Sequence, residues 1–185
     1  LEGRPLMSPK DVLHFWFQES SPQRWFQKNA AFDETIRSRF SSLHRQAAAG
    51  ELFRWRDSGE GRLAEILILD QFSRNIFRDD PRAFASDDMA LALSQEAIRR
   101  EDHLSLSVIQ RSFLYMPFMH SESPVIHEIA MELFSEPGME TNLKFEILHF
   151  EILSKFGRYA HRNRILGRAS TPEEVEFLKQ DGSSF

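Results

Sequence analysis

The sequence contains no cysteine. That excludes disulfides, thiol nucleophiles and cysteine-ligated zinc or iron–sulfur centres, and it suits a reducing compartment. Proline and glycine are scarce, eight of each in 185 residues, too few for an all-β chain built on many tight turns. No apolar run approaches the roughly 18 residues of a membrane span. The opening stretch LEGRPLMSPK lacks the apolar centre of a signal peptide. Basic residues are in deficit, 23 against 28 acidic ones, and the formal charge of −5 opposes nucleic-acid binding. A Gly-rich phosphate loop, His-Glu-x-x-His and Gly-x-Ser-x-Gly are all missing. These absences leave a cytoplasmic chain with no membrane partner, and no cofactor or metal is expected. Leu1–Leu6, ahead of Met7, read as a cloning remnant outside the fold. Residues 7–185 fit one domain, long enough to bury about 70% of its unfolded surface.

What is present is helical periodicity. Ser8-Pro9 is a serine cap with proline at the first helical position, and the helix it opens ends near Gln18. Phe32, Ile36, Phe40 and Leu43 form one stripe of a second helix, which Gly50 stops. EGRLAEILILDQFSRNIF reads as a third long helix, and DDPRAF as a loop or short turn. SDDMALALSQEAIRRE has an acidic start and a basic end, matching the helix dipole. SVIQRSFLYMPFMH is apolar, and Pro117 should kink or end it. SPVIHEIAMELF and METNLKFEILHFEILSKFG are two more helices. TPEEVEFL is a last short one, with Thr171 as cap and Glu174 at the capping-box position. No segment alternates like a strand. Short linkers predict an all-α fold of antiparallel helical hairpins, and no fixed repeat period is visible. The 17 phenylalanines serve either a large core or a dimer face.

Three polar constellations interrupt the apolar helices. The first is Asp70, Gln71, Arg74 and Asn75 in LDQFSRNIFR. On an α-helical wheel both i,i+4 pairs share a face, within about 140° of arc. Buried polar groups must be hydrogen-bonded and buried charges paired. Either Asp70 pairs internally with Arg74 and the amides bond to neighbouring turns, or this half of the helix faces a polar cleft. The second is His120, Ser121 and Glu122, just after Pro117. Histidine and glutamate are an acid–base pair by type, although such short clusters more often cap a helix. The third is LHFEILSKFGRYAHRNRILGR. His149 faces inward among apolar residues, the usual setting of a satisfied core histidine. Beyond Gly157, residues Arg158, His161, Arg162, Asn163 and Arg168 concentrate basic groups whose forks match carboxylate and phosphate. A solvated basic surface accounts for Arg164 better than for His-Arg-Asn. Glu146-x-x-His149 has the spacing of a di-iron ligand pair, but no second Glu-x-x-His exists to complete it.

Taken in order, FWFQ, RWFQKNAAFDETIRSRF, LDQFSRNIFR, MHSE, RYAHRN and ILGRASTPEEVEFL make the chain from about Val12 to Leu178 resemble the bacterial family called domain of unknown function 924. The resemblance implies a tetratricopeptide-like right-handed stack of helical hairpins and no known reaction. It matches the family at Asp70, Gln71, Phe72, Arg74 and Asn75, at Met119–Glu122, and at His161, Arg162 and Asn163. Tyr159-Ala160 stands where the family pattern has Phe-Pro. Helical-hairpin folds bind ligands between helices, so the three constellations are expected to converge on one polar cleft. Arg74, Arg158 and Arg162 would hold a small anionic molecule or an acidic peptide end. Gln71, Asn75, Ser121, His149 and Asn163 would line the cleft. Asp70 and Glu122 would orient the arginines and histidines. The alternatives are an acid–base enzyme of hydrolase type using His120, His161 and Glu122, and a scaffold in which the motifs only specify the core.

Overall fold

The structure, a computed structural model, describes residues 7–185; the expectation for Leu1–Leu6 lies outside them. The described residues are helical, with no strand among them. They divide into two compact units. The first comprises the residues up to Arg78 with Arg82–Pro117, and the second Asp79–Pro81 with Phe118–Phe185.

The first unit starts with α1 (Pro9–His14), which runs into a π-helical turn at Phe15–Glu19. The Asp11 carboxylate accepts from both the Ser8 N–H and its hydroxyl, each at 2.7 Å, and so fixes the helix start. A short α2 (Pro22–Trp25) leads to α3 (Ala30–Ala48), where Asn29 Oδ1 caps the Phe32 N–H at 2.9 Å. The predicted stripe Phe32, Ile36, Phe40 and Leu43 is buried, and Gly50 takes a φ of 73° as the stop residue. Rings from three segments meet here. Phe40 lies 4.8 Å from both Phe15 and Phe72, and Trp16 lies 5.6 Å from Phe72. Each fully buried ring contributes about 1.5–3 kcal/mol.

The expected third helix departs from the wheel. It consists of α4 (Gly59–Leu67), a π-helical turn at Ile68–Phe72, and α5 (Ser73–Ile76). Wider π spacing re-aims Asp70 and Gln71 relative to an ideal α-helix, a feature frequent at functional sites. Gly61 in α4 is obligatory, because a Cβ there would lie 1.8 Å from the Trp55 carbonyl oxygen. The unit continues through α6 (Asp87–Arg99) into α7 (Val108–His120). Pro117 does not end α7, which continues to His120. Proline needs only a missing N–H bond and room beside the preceding turn, and three further residues stay helical beyond it.

The second unit holds the end of α7, then α8 (Pro124–Leu133), α9 (Glu140–Phe156), a 3₁₀ turn at Ala160–Arg162, α10 (Asn163–Leu166) and α11 (Pro172–Phe177). Helix α9 packs on α8. Ile152, Leu153 and Tyr159 form a buried cluster with Phe156 and Phe177 against it. Gly157, φ 70°, turns the chain sharply out of α9 and sends Tyr159 back inward. The 3₁₀ turn and α10 have no apolar periodicity to announce them; the sequence shows only a basic run there. Helices α8 and α9 leave Val125, Ile129, Phe145 and Leu148 exposed. Among the described residues, no helix is long and apolar enough to cross a membrane.

Candidate functional site

In the first unit the polar groups of LDQFSRNIFR have partners within their own segment and on α3 and α6. Gln71 Nε2 donates to Asp70 Oδ2 at 2.8 Å, and Arg74 Nη1 donates to the Asp70 carbonyl at 2.9 Å. The closer carboxylate for Arg74 is Asp87, which takes its fork through two bonds of 2.9 Å; the Asp70 carboxylate is 3.4 Å away. Asn75 donates to Asp33 Oδ1 at 2.8 Å, and Arg78 takes both oxygens of the same carboxylate. Burial pushes the Asp33 pKa up, but the hydrogen bonds from Arg78 and Asn75 outweigh it and hold it below the ordinary value. Ser73 donates to the Leu69 carbonyl at 2.5 Å and meets His44 Nε2 at 2.7 Å. These bonds tie the π-helical turn and α5 to α3 and α6.

The second unit contains His120, Ser121, Glu122, His149, Arg158, His161, Arg162 and Asn163. It divides them between a frame and a ring cluster. In the frame, Glu122 receives Arg168 at 2.7 and 2.9 Å and the Tyr159 N–H at 2.7 Å. Burial raises the Glu122 pKa, but those bonds and the charges of Arg162 and Arg168 hold it low. Arg158 forks onto Glu174 at 2.8 Å twice. That bond, helped by the Thr171 N–H and Asn163 against the cost of burial, holds the Glu174 carboxyl at about 2. Asn163 donates to Glu174 and Ser170 and accepts from Arg168 at 2.9 Å. Arg158, Asn163 and Glu122 therefore brace the 159–174 segment. Arg164 lies in solvent, 3.8 Å from Asp79.

The ring cluster centres on Tyr159. The Arg162 guanidinium carbon sits 4.6 Å from the Tyr159 ring centroid, a cation–π contact, and Arg162 Nη2 donates to the His120 carbonyl at 3.0 Å. His149 meets the Tyr159 ring at 5.5 Å edge-on, and His161 meets it at 5.5 Å. His149 Nδ1 lies 2.6 Å from the Phe145 carbonyl. A carbonyl only accepts, so Nδ1 carries the hydrogen and Nε2 carries the lone pair. Burial drives the His149 pKa down to about 3, with smaller contributions from His120, His127 and His161. His149 is neutral at pH 7.

Two residues here gave no usable signal in the sequence. His127 and Glu146 are fully buried, and His127 Nδ1 is 2.5 Å from Glu146 Oε1. His127 Nε2 is 2.8 Å from the Ser121 carbonyl and 3.2 Å from the Tyr159 hydroxyl, which itself donates to the Met119 carbonyl at 2.5 Å. The Ser121 carbonyl requires a hydrogen on Nε2. The Nδ1 bond then shares one proton with Glu146, whose pKa burial raises against the pull of His127. Glu146-x-x-His149 did flag Glu146, but as half of a metal motif. Among the described residues, no group of three or more histidine, aspartate and glutamate side chains is placed to hold a metal ion.

The family model for bacterial proteins of unknown function, DUF924, matches residues 12–182. A solved protein of unknown function from Agrobacterium tumefaciens is similar to this chain. It shares 39% identity over 92% of this chain and 96% of its own, with a TM-score of 0.88. No curated protein matches.

Proposed function

Since the chain belongs to the bacterial DUF924 family of unknown function, whose description assigns no reaction, we propose a function from the site chemistry alone. The protein binds a small anionic ligand, a carboxylate, a phosphate or an acidic peptide end, at the ring cluster of the second unit. Arg162 and His161 are its principal contacts. The observation that carries this reading is Arg162 lying over Tyr159, 4.6 Å from its ring centroid, with the His149 and His161 rings each 5.5 Å from the same tyrosine. An arginine fork matches the geometry of a carboxylate or phosphate.

Binding is favoured over acid–base chemistry for two reasons. Glu122 is held ionised by Arg168 and the Tyr159 N–H, so it positions the 159–168 segment instead of moving a proton. His149, at about 3, is too weak a base for work near neutral pH. The scaffold role suits Asn75, Arg158 and Asn163, whose bonds are internal.

Thermal unfolding against a panel of anionic metabolites and acidic peptides tests the reading, on the wild type, Arg162→Lys and His161→Gln. A ligand at 100 times its Kd adds about 2.7 kcal/mol, roughly 5 °C for a chain of this size. The expected result is a shift that both variants diminish. No shift with any anion, together with an Arg162→Lys protein that melts far below wild type in buffer, would replace binding with the scaffold role.

A further inference from the structure

Phe185 lies on the ring cluster. Its ring stacks on His149 with centroids 3.9 Å apart and planes 26° apart, and meets His161 edge-on at 6.1 Å. The strap that carries it turns at Gly182, φ 78°, and is pinned by the Ser183 hydroxyl on the Leu178 carbonyl at 3.2 Å. Phe185 is nonetheless 48% exposed. A large apolar ring left half in water, over a buried imidazole, gains less from its place than a core ring does.

The surface beneath it is made for a planar ring. His149 cannot turn, because its Nδ1–H is bound to the Phe145 carbonyl. Its neutral ring can be covered without stripping water from a charge. His161 offers a perpendicular contact, the second of the two favoured aromatic geometries. Tyr159 meets both the His149 ring, edge-on at 5.5 Å, and the Arg162 guanidinium, at 4.6 Å from its centroid. A ring on His149 is therefore separated by one tyrosine from a guanidinium.

We infer that Phe185 occupies the seat of a ligand's aromatic ring, and that residues 181–185 are a strap this ligand displaces. The ligand class is then an aromatic acid: a planar ring on His149 and His161, with a carboxylate or phosphate directed to Arg162. The acid half of this inference rests on the proposed anion site; the ring half rests on the stacking geometry.

Calorimetric titration of the full chain tests it, with phenylacetate, cyclohexylacetate and inorganic phosphate as probes, on the wild type, Phe185→Ala and Phe185→Leu. The half-exposed position lets both variants fold. Phenylacetate should bind Phe185→Ala at least fivefold more tightly than wild type and more tightly than cyclohexylacetate binds either protein. The His149 ring protons, observed by NMR, should move on Phe185→Ala and return toward their wild-type positions when phenylacetate is added. Equal binding of the two acids, or no gain from Phe185→Ala, would overturn the aromatic seat. If phosphate or either acid still bound the wild type, and bound an added Arg162→Lys variant more weakly, the anion site would stand without the aromatic seat. Binding of no probe to any of the three proteins would overturn both.

Discussion

His127 has no nitrogen to spare. One is held by Glu146 and the other by the Ser121 carbonyl, both in a fully buried setting. Removing a buried partner leaves the remaining groups without their hydrogen bonds, at about 1–3 kcal/mol each. His127→Ala also opens a cavity. We expect His127→Ala to lower stability by about 3–5 kcal/mol, measured by urea unfolding. Glu146→Gln can still bond Nδ1 and should cost less than half of that. A His127→Ala protein as stable as wild type would show that the dyad is not a structural lock. Arg74 makes a related point: its wheel partner was Asp70, yet its fork closes on Asp87. The bidentate geometry of a guanidinium favours the carboxylate that can meet both nitrogens.

Elements follow their caps closely and their interiors less so. Ser8, Thr171 with Glu174, Gly50 and Gly157 mark helix ends as expected, and Asp11 and Asn29 complete two of the caps. These signals are local, acting over three or four residues, and so are legible in the chain. The π-helical turns are not: over five residues, a change from 3.6 to a wider turn leaves no periodic trace. Gly61 is likewise invisible in the sequence, since its need comes from Trp55 packing across α4. Gly61→Ala should destabilise by about 2–3 kcal/mol or more, although alanine is the better helix former. Circular dichroism during thermal unfolding would show it, and an unchanged or raised melting temperature would contradict the close approach.

The whole molecule's response to acid follows from groups shifted in known directions. His149 falls from an ordinary 6.5 to about 3 on folding. The unfolded chain takes up this proton first, so the stability His149 contributes is complete above about pH 6.5. It is lost as pH drops toward 3, at a slope of about 1.4 kcal/mol per unit. Glu174, held at about 2 against an ordinary 4.5, adds a second loss between those values, and Asp33 and Glu122 act in the same direction. Glu146 opposes them, because its raised pKa favours the folded state as pH falls toward the ordinary carboxylate value. Stability measured from pH 7 to 3 should therefore fall from near 6.5, and His149→Gln should flatten the part above 4.5. An unchanged slope in that variant would contradict the buried neutral imidazole.

The sequence by itself determined the helices, most of their ends, the buried stripe of α3 and the family. Each is set by contacts between residues a turn or two apart, whose spacing the chain displays. It also singled out the residues around Tyr159, through the unusual density of histidine and arginine in an acidic chain. Only the tertiary structure decided their roles. Glu122 belongs to Arg168, 46 positions away; Asn75 belongs to Asp33, 42 away; His127 belongs to Glu146, 19 away. Hydrogen-bond geometry, not separation along the chain, selects such partners. The chain carries no marker of which carboxylate will be near enough to hold which nitrogen until the helices have packed.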